Sequence, residues 1–128
     1  MGDVHADRDI ERVVTQRRVT LHVTEDLVRA YSRRGNFHSD ADTARALGLP
    51  GLVAQGVQVA GPAYGIMLDA WGEEFLAHGE IDLRFVGMVV AGDTIDVRVE
   101  IDDAGTAALE VVNSTAGTTS VVGTATRG

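Results

Sequence analysis

The residues best suited to chemistry lie in one stretch of the chain, between Tyr31 and Gly56. His38 stands there in a polar, glycine-containing segment, and a histidine can take up or release a proton near neutral pH. Gly56 opens a long, almost uncharged segment that is typical of a buried helix. The first N–H groups of a helix have no partner within it, so the Gly56 amide can polarise a carbonyl oxygen. We therefore predict that His38 moves a proton while Gly56 acts as an oxyanion donor.

Three further positions in this stretch have both a functional and a structural interpretation. Arg33 and Arg34 can hold a carboxylate or a phosphate through paired N–H donors, or they can be a solvated pair at a helix end. Asp40 can supply a carboxylate beside His38, but an aspartate ahead of a short helical turn is more often its N-cap. A single histidine without a second ligand at a defined spacing does not predict a metal site. We expect neither a metal nor a separate cofactor.

The elements that must position these residues follow from hydrophobic periodicity. Alternation over Val13–Val23 predicts a half-buried strand, and Thr24 predicts the N-cap of a short helix that ends before the polar loop. Val57–Trp71 is apolar on nearly every side, which predicts a long helix that is buried all round. After Gly79 the chain alternates again, which predicts strands joined by short turns in an antiparallel meander.

This order of elements predicts an α+β fold in which an antiparallel sheet wraps round one central helix. The clearest two-residue period runs from Ile95 to Ile101. Asp82 and Asp96 lie on the polar phase of their strands, so we expect both carboxylates to be solvated.

Length, charge and composition exclude several classes of protein. At 128 residues the chain fits one domain, and we expect a flexible segment over residues 1–12 ahead of a single domain over 13–128. A net charge of −8 argues against a nucleic-acid partner, because a phosphate backbone requires a clustered basic surface. The absence of cysteine excludes disulfides, zinc–thiolate sites and a cysteine nucleophile. No apolar run is typical of a signal peptide or a membrane span, so we expect a cytoplasmic protein without a membrane partner.

Several short motifs, in this order of elements, resemble one known family. From about Val13 to the C-terminus the chain is similar to the hot-dog fold, and specifically to its MaoC-like acyl-thioester dehydratases and hydratases. The motifs that carry the resemblance are His38-Ser-Asp40, Ala44-Arg-Ala-Leu-Gly48, Val53-Ala-Gln-Gly56, Arg84-Phe85 and Ala91-Gly-Asp-Thr94.

The resemblance implies a catalytic pair, of which this chain keeps one member. In the family, an aspartate and a histidine in the pattern Gly-Asp-x-Asn-Pro-hydrophobic-His act at the α- and β-carbons of a coenzyme A or carrier-protein thioester. His38 matches the histidine and Phe37 the hydrophobic position, whereas Asn36 and Gly35 stand for the proline and the asparagine. Arg33 stands where the family has its catalytic aspartate.

The departure at Arg33 leaves the reaction open, because a guanidinium cannot serve as a general base. His38 can act alone, or Asp40 or Asp42 can supply the carboxylate. Alternatively, the reaction is thioester hydrolysis or conjugate addition, with Arg33 or Arg34 holding an anionic group. A third hypothesis is a catalytically silent acyl-binding subunit. We favour hydratase or dehydratase chemistry with His38 as the acid/base group.

The same resemblance predicts the substrate and the assembly. The acyl group is expected on coenzyme A or on the phosphopantetheine of an acyl-carrier protein, as part of the substrate. The residues expected to contact it are Arg33, Arg34, Asn36 and Gln55, the last of which stands where relatives often have histidine. We expect a homodimer or a dimer of dimers, because the family pairs sheets edge to edge and a chain of this size buries its apolar surface poorly alone. The acyl chain would then enter between subunits.

Overall fold

A five-stranded antiparallel sheet forms the frame of the protein, in the order β1-β3-β4-β5-β2. The computed structural model describes residues 14–31, 40–49 and 51–128. The strands are β1 (Val14–His22), β2 (Glu80–Phe85), β3 (Thr94–Asp102), β4 (Thr106–Asn113) and β5 (Thr118–Thr126). The helices are α1 (Glu25–Tyr31), α2 (Ala41–Ala46), α3 (Gly56–Trp71) and α4 (Glu73–His78). The segment 1–12, predicted to be flexible, and the predicted site residues Arg33, Arg34, Asn36 and His38 lie outside the described residues.

Strands β3, β4 and β5 form the predicted meander, which confirms the strongest periodic signal in the sequence. Leu109 on β4 lies opposite Val99 on one side and opposite Gly123 on the other, so the apolar phases of the three strands share one face. Helix α3 packs on that face against β3 and β4. The inward side chains are buried and form the core with the helix: Val97, Val99, Ile101, Ala107, Leu109, Val111, Val121 and Ala125 from the sheet, and Val59, Ala63, Ile66 and Met67 from α3. The predicted α+β arrangement is therefore confirmed.

Helix α3 is not buried all round, and this prediction from the sequence is wrong for the single chain. The sheet covers only one side of the helix, and on the other side Leu68 is 39% exposed. Asp69 lies on the same open side and pairs with Arg17 of β1, with 2.7 Å between Oδ2 and Nη1. An apolar helix face indicates that some surface packs against it, but it does not show which one. In the single chain the open side of α3 stays exposed. Among the described residues, no helix has the length and apolar character needed to cross a membrane.

Helix α4 was not predicted, because only one of its six side chains is buried and no periodic pattern marks it. Gly72 ends α3 in the left-handed region at φ +64°, and its N–H donates to the Leu68 carbonyl at 2.8 Å. The chain then turns directly into α4, where Phe75 is buried. The Phe75 ring packs against the Trp71 ring with 5.5 Å between the centroids. This contact holds α4 against the end of α3.

Asp96 is 6% exposed, so the prediction that it is solvated is wrong. Its carboxylate accepts hydrogen bonds from Arg18 on β1 and from Arg98 on its own strand. The sheet register places Arg18 directly opposite Arg98, which brings both guanidinium groups over the carboxylate. The hydrogen bond from Arg18, together with that from Arg98, holds the pKa of Asp96 below its usual range, although burial acts in the opposite direction.

Replacing Asp96 by asparagine is expected to lower stability at neutral pH. A carboxyl group whose pKa is depressed in the folded state stabilises the fold above its unfolded pKa, and this stabilisation is lost as the pH falls through the folded value. The difference in the free energy of unfolding between the wild type and Asp96→Asn should therefore be largest at neutral pH and should disappear in acid. Urea unfolding over a pH series measures it.

The matched control is Asp69→Asn, which breaks an exposed pair and should change the free energy of unfolding by only about 0–1 kcal/mol. Equal stability of the wild type and Asp96→Asn at neutral pH would contradict the account of this ion cluster.

Candidate active site at the start of the long helix

The N-terminus of α3 carries backbone N–H groups that have no acceptor within the helix. Gly56 is its first residue, and the first bond of the helix runs from the Val59 N–H to the Gln55 carbonyl at 3.0 Å. The N–H groups ahead of Val59 thus have no acceptor within the helix. The first turn contains no acidic residue, and the Gln55 side chain makes no capping bond to it. Within its own first turn, α3 therefore has no carboxylate that would neutralise the positive end of the helix macrodipole, which suits this end for an electron-rich carbonyl oxygen.

The aromatic ring of Phe85 lies against Gly56. An ideal Cβ built on Gly56 would be 2.8 Å from both Cδ1 and Cε1 of that ring, closer than carbon atoms pack. Any side chain at position 56 would therefore force the Phe85 ring to shift, whereas glycine leaves room for it. Phe85 is the last residue of the edge strand β2, and its side chain is 52% exposed. Arg84-Phe85 is one of the motifs that carry the family resemblance, but the contact of Phe85 with Gly56 was not predicted.

A short pairing of two connecting segments fixes the helix start beside the end of β2. Ala54, two residues before Gly56, donates its N–H to the Val89 carbonyl at 2.8 Å. In return, the Ala91 N–H donates to the Leu52 carbonyl, also at 2.8 Å. Leu52 and Val89 are buried, so this pairing is part of the core. The relative position of Gly56 and Phe85 is therefore set by backbone hydrogen bonds and by burial.

The segment between β2 and β3 has two further anchors. The Ser120 carbonyl, at an irregularity in the pairing of β5 with β4, accepts both the Val86 N–H at 2.9 Å and the Gly87 N–H at 3.2 Å. Gly87 has no room for a side chain there, because a Cβ would lie 2.6 Å from the Thr119 carbonyl oxygen. These bonds direct the chain out of β2 and hold the Phe85 backbone in place.

The second anchor is a buried carboxylate–amide pair at the other end of the same segment. Asp93 accepts the Val90 N–H at 3.0 Å and the Asn113 side-chain amide at 2.7 Å on its Oδ2. Asp93 and Asn113 are both buried, and buried polar groups paired in this way hold one backbone geometry. The motif Ala91-Gly-Asp-Thr94 thus has a structural role in this chain.

Gln58 connects the first turn of α3 to α1. Its Nε2 donates to the Leu27 carbonyl at 2.8 Å. Helix α1 begins with the predicted cap, where the Thr24 hydroxyl accepts the Leu27 N–H at 3.1 Å. The hydrogen bond of Gln58 thus ties α1, which ends at Tyr31, to the turn that carries Gly56. Gln58 was not predicted, because its contact with Leu27 joins parts of the chain that are far apart in sequence.

Asp40 caps α2, as the sequence predicted. Its Oδ1 accepts the backbone N–H of Asp42 at 3.0 Å and that of Thr43 at 3.4 Å. Hydrogen bonds from the Thr43 side chain and from these two amides hold the pKa of Asp40 below its usual range. The carboxylate is therefore ionised at neutral pH and is engaged as a cap, while a catalytic role beside His38 stays a prediction.

Of the predicted site residues, the structure brings Gly56 and Gln55 together at the start of α3 and places Asp40 at the start of α2. His38, Arg33, Arg34 and Asn36 lie outside the described residues, so their roles stay predictions. Phe85 and Gln58 are the additions that the structure makes to this set.

The family comparison agrees with the motifs. A family model described as the MaoC-like domain matches residues 7–124 of the chain, which is nearly all of it. A comparison with curated proteins found no match.

Solved structures with the same architecture include an (R)-hydratase from A. caviae involved in PHA biosynthesis. It is 18% identical over 88% of this chain and 92% of its own, with a TM-score of 0.70. The ChsH1-ChsH2 complex from Mycobacterium tuberculosis gives the same identity, coverage and TM-score. The HadBC (3R-hydroxyacyl-ACP dehydratase) complex from the same organism is 20% identical over 92% of this chain and 96% of its own, with a TM-score of 0.66. At such identities the likeness shows a shared fold, and the predicted hot-dog architecture is confirmed.

Proposed function

The chain belongs to the MaoC-like domain family, and on that basis we propose that it is a hydratase or dehydratase acting on acyl thioesters. The observation that carries the proposal is the Gly56 amide at the positive end of a 16-residue helix, without an acidic residue in the first turn. Such an end stabilises the negative charge that develops on a thioester oxygen. The hot-dog proteins described as an (R)-hydratase and a 3R-hydroxyacyl-ACP dehydratase support the same reaction class.

In the proposed reaction, water adds across the α,β double bond of an enoyl thioester, or leaves in the reverse direction. The hydroxyl group bonds to the β-carbon, and the electron pair of the double bond moves toward the thioester oxygen. The Gly56 N–H donates a hydrogen bond to that oxygen. His38 takes the proton released by the water and returns it to the α-carbon, so that one group serves both transfers. Coenzyme A or phosphopantetheine carries the acyl group as part of the substrate.

A second candidate follows from Arg33, which stands where the family has its catalytic aspartate. Arg33 and Arg34 would hold an anionic group while the chain hydrolyses the thioester or adds a nucleophile to it. A third candidate, an acyl-binding subunit without its own activity, is supported by two structures with the same fold that are described as complexes. That subunit would require a partner chain with the missing carboxylate.

Product analysis separates the three candidates. The protein is incubated with crotonyl and 3-hydroxybutyryl thioesters of coenzyme A, and the products are identified by mass spectrometry. Interconversion of the two thioesters supports the proposed function. Release of free thiol or formation of an adduct supports the second candidate, and absence of turnover supports the third.

Three substitutions at Arg33 test whether it binds an anionic group. If it does, Arg33→Ala should weaken substrate binding by about 1.5–3 kcal/mol, which is the range for a hydrogen bond to a charged group. Arg33→Lys should restore only part of the loss, because an ammonium group cannot reproduce a planar pair of donors. If Arg33 only replaced a lost base, Arg33→Ala should change little, and Arg33→Asp should introduce hydratase activity beside His38. Steady-state kinetics decide between the two.

Arg45→Ala is the matched control for this series, because Arg45 is exposed on α2 and forms an exposed ion pair with Asp42, at 3.2 Å. It should leave substrate binding unchanged. Unchanged binding in every Arg33 variant would identify Arg33 as a solvated charge.

We expect the protein to form a homodimer or a dimer of dimers. The sheet ends in β1 and β2, and neither has a second neighbouring strand in the described part of the chain. Val86 and Met88, which follow β2, are both more than half exposed. Unpaired edges and clustered apolar side chains favour association. Sedimentation at micromolar concentration should therefore give two or four times the 13.5 kDa of one chain, and a stable monomer would contradict this expectation.

A further inference from the structure

The Phe85 ring lies close to the Gly56 amide, which is the candidate oxyanion donor. In an α-helix each Cα–Cβ bond is tilted toward the N-terminus of the helix. The ring lies against the place of the Cβ that Gly56 lacks, with Cδ1 and Cε1 each 2.8 Å from that position. It therefore lies close to the Gly56 amide, on the side toward which the Cβ of that residue would point. A group that approaches the amide from that side comes close to the ring.

The backbone of Phe85 is held in place, while the residue stays partly accessible to a bound molecule. The Phe85 side chain is 52% exposed, so a bound molecule can contact it. Its backbone is fixed by the pairing of β2 with β5, where Phe85 lies opposite Val121, and by the bonds from Val86 and Gly87 to the Ser120 carbonyl. The ring is therefore attached to a fixed backbone close to the Gly56 amide.

We propose that Phe85 is a specificity-determining residue that selects acyl groups without a branch at the α-carbon. The inference rests on the proposed function and adds a substrate class to it. A carbonyl oxygen that accepts the Gly56 N–H lies about 2.9 Å from the nitrogen, and the α-carbon is two bonds from that oxygen. A planar, unbranched enoyl group fits beside the ring, whereas a methyl branch at the α-carbon points into the space that the ring fills. Close packing rejects even one extra methyl group.

The test compares coenzyme A thioesters of trans-2-butenoate and of its 2-methyl derivative, and repeats the comparison with the eight-carbon pair. The wild-type protein should prefer the unbranched member of each pair. Phe85→Leu and Phe85→Ala should raise the ratio of branched to unbranched kcat/KM, by about tenfold or more for Phe85→Ala, since one methyl group in a packed pocket is discriminated by about 10–200-fold. Phe85→Tyr keeps the ring and is the matched control, so its ratio should equal that of the wild type.

Thermal unfolding of each variant separates loss of fold from change of specificity, and a ratio of two substrates is insensitive to the fraction of active protein. A ratio that stays within about twofold of the wild-type value in Phe85→Leu and Phe85→Ala, against the tenfold expected for one methyl group, would overturn the inference while leaving the proposed function intact. A wild-type protein that favours the branched thioesters would overturn it too. If the wild type turns over none of the four thioesters, the proposed function fails and the inference fails with it.

Discussion

Replacement of His38 by alanine is expected to lower kcat for hydration by about 100- to 10,000-fold, which is the contribution of a positioned acid/base group. His38 is the residue of this chain that matches the family histidine, and Arg33 cannot share its proton transfers. In the proposed reaction His38 serves both proton transfers, so its removal should affect both. The rate of hydration of an enoyl thioester, followed by loss of absorbance of the conjugated double bond, measures the effect.

His22→Ala is the matched control for that experiment. His22 is exposed on β1, and its Nδ1 lies 3.1 Å from the Thr94 hydroxyl, so it has a local structural contact. The control should keep the rate of the wild type. If His38→Ala keeps near wild-type activity as well, His38 is not the proton carrier and the catalytic group lies elsewhere.

Removal of the Gly56 N–H is expected to have the second largest effect, a loss of about 100- to 1,000-fold in kcat, as for other single oxyanion donors. Proline removes this donor and is well suited to the first position of a helix. The preceding residue, Gln55, has φ −67° and ψ 144°, which is the extended geometry that a residue before proline requires. Any side chain at position 56 meets Phe85, so the substitution is made in a Phe85→Leu background.

The comparison is therefore between Gly56→Pro and Gly56→Ala, both combined with Phe85→Leu. Both double variants place a Cβ beside residue 85, but only the alanine variant keeps the N–H, which proline replaces with its Cδ. The proline variant should be slower by the stated factor, with the two proteins equally stable to heat. Equal rates would show that the Gly56 amide does not act as the donor.

Much of the fold could be predicted because its signals are local. The alternation from Ile95 to Ile101 places β3 in a meander, and Thr24 and Asp40 mark the starts of α1 and α2 with their own side chains. Asp96 was mispredicted because alternation shows which face of a strand a residue occupies, but not what lies opposite. Its burial depends on the register that places Arg18 across from Arg98, and that register is a property of the assembled sheet.

The candidate site also has features that could be predicted from the sequence and features that could not. Gly56 could be predicted because a glycine before a long apolar run is a local pattern. The contact of Gly56 with Phe85 and the bond from Gln58 to Leu27 join segments that are far apart in sequence. Neither has a periodic or compositional signal, so both required the three-dimensional arrangement. The exposed side of α3 was not predicted, because an apolar helix pattern indicates burial but does not show which surface packs against each side of the helix.

The most direct test of the proposed function is an isotope experiment with a trans-2-enoyl coenzyme A thioester in water enriched in ¹⁸O. If the chain is a hydratase, the product is a 3-hydroxyacyl thioester with its thioester bond intact, and the label lies in the hydroxyl group on the β-carbon. Mass spectrometry of the intact thioester and of its acyl fragment locates the label. Free coenzyme A with ¹⁸O in a released carboxylate, or an unlabelled and unchanged thioester, would contradict the proposal.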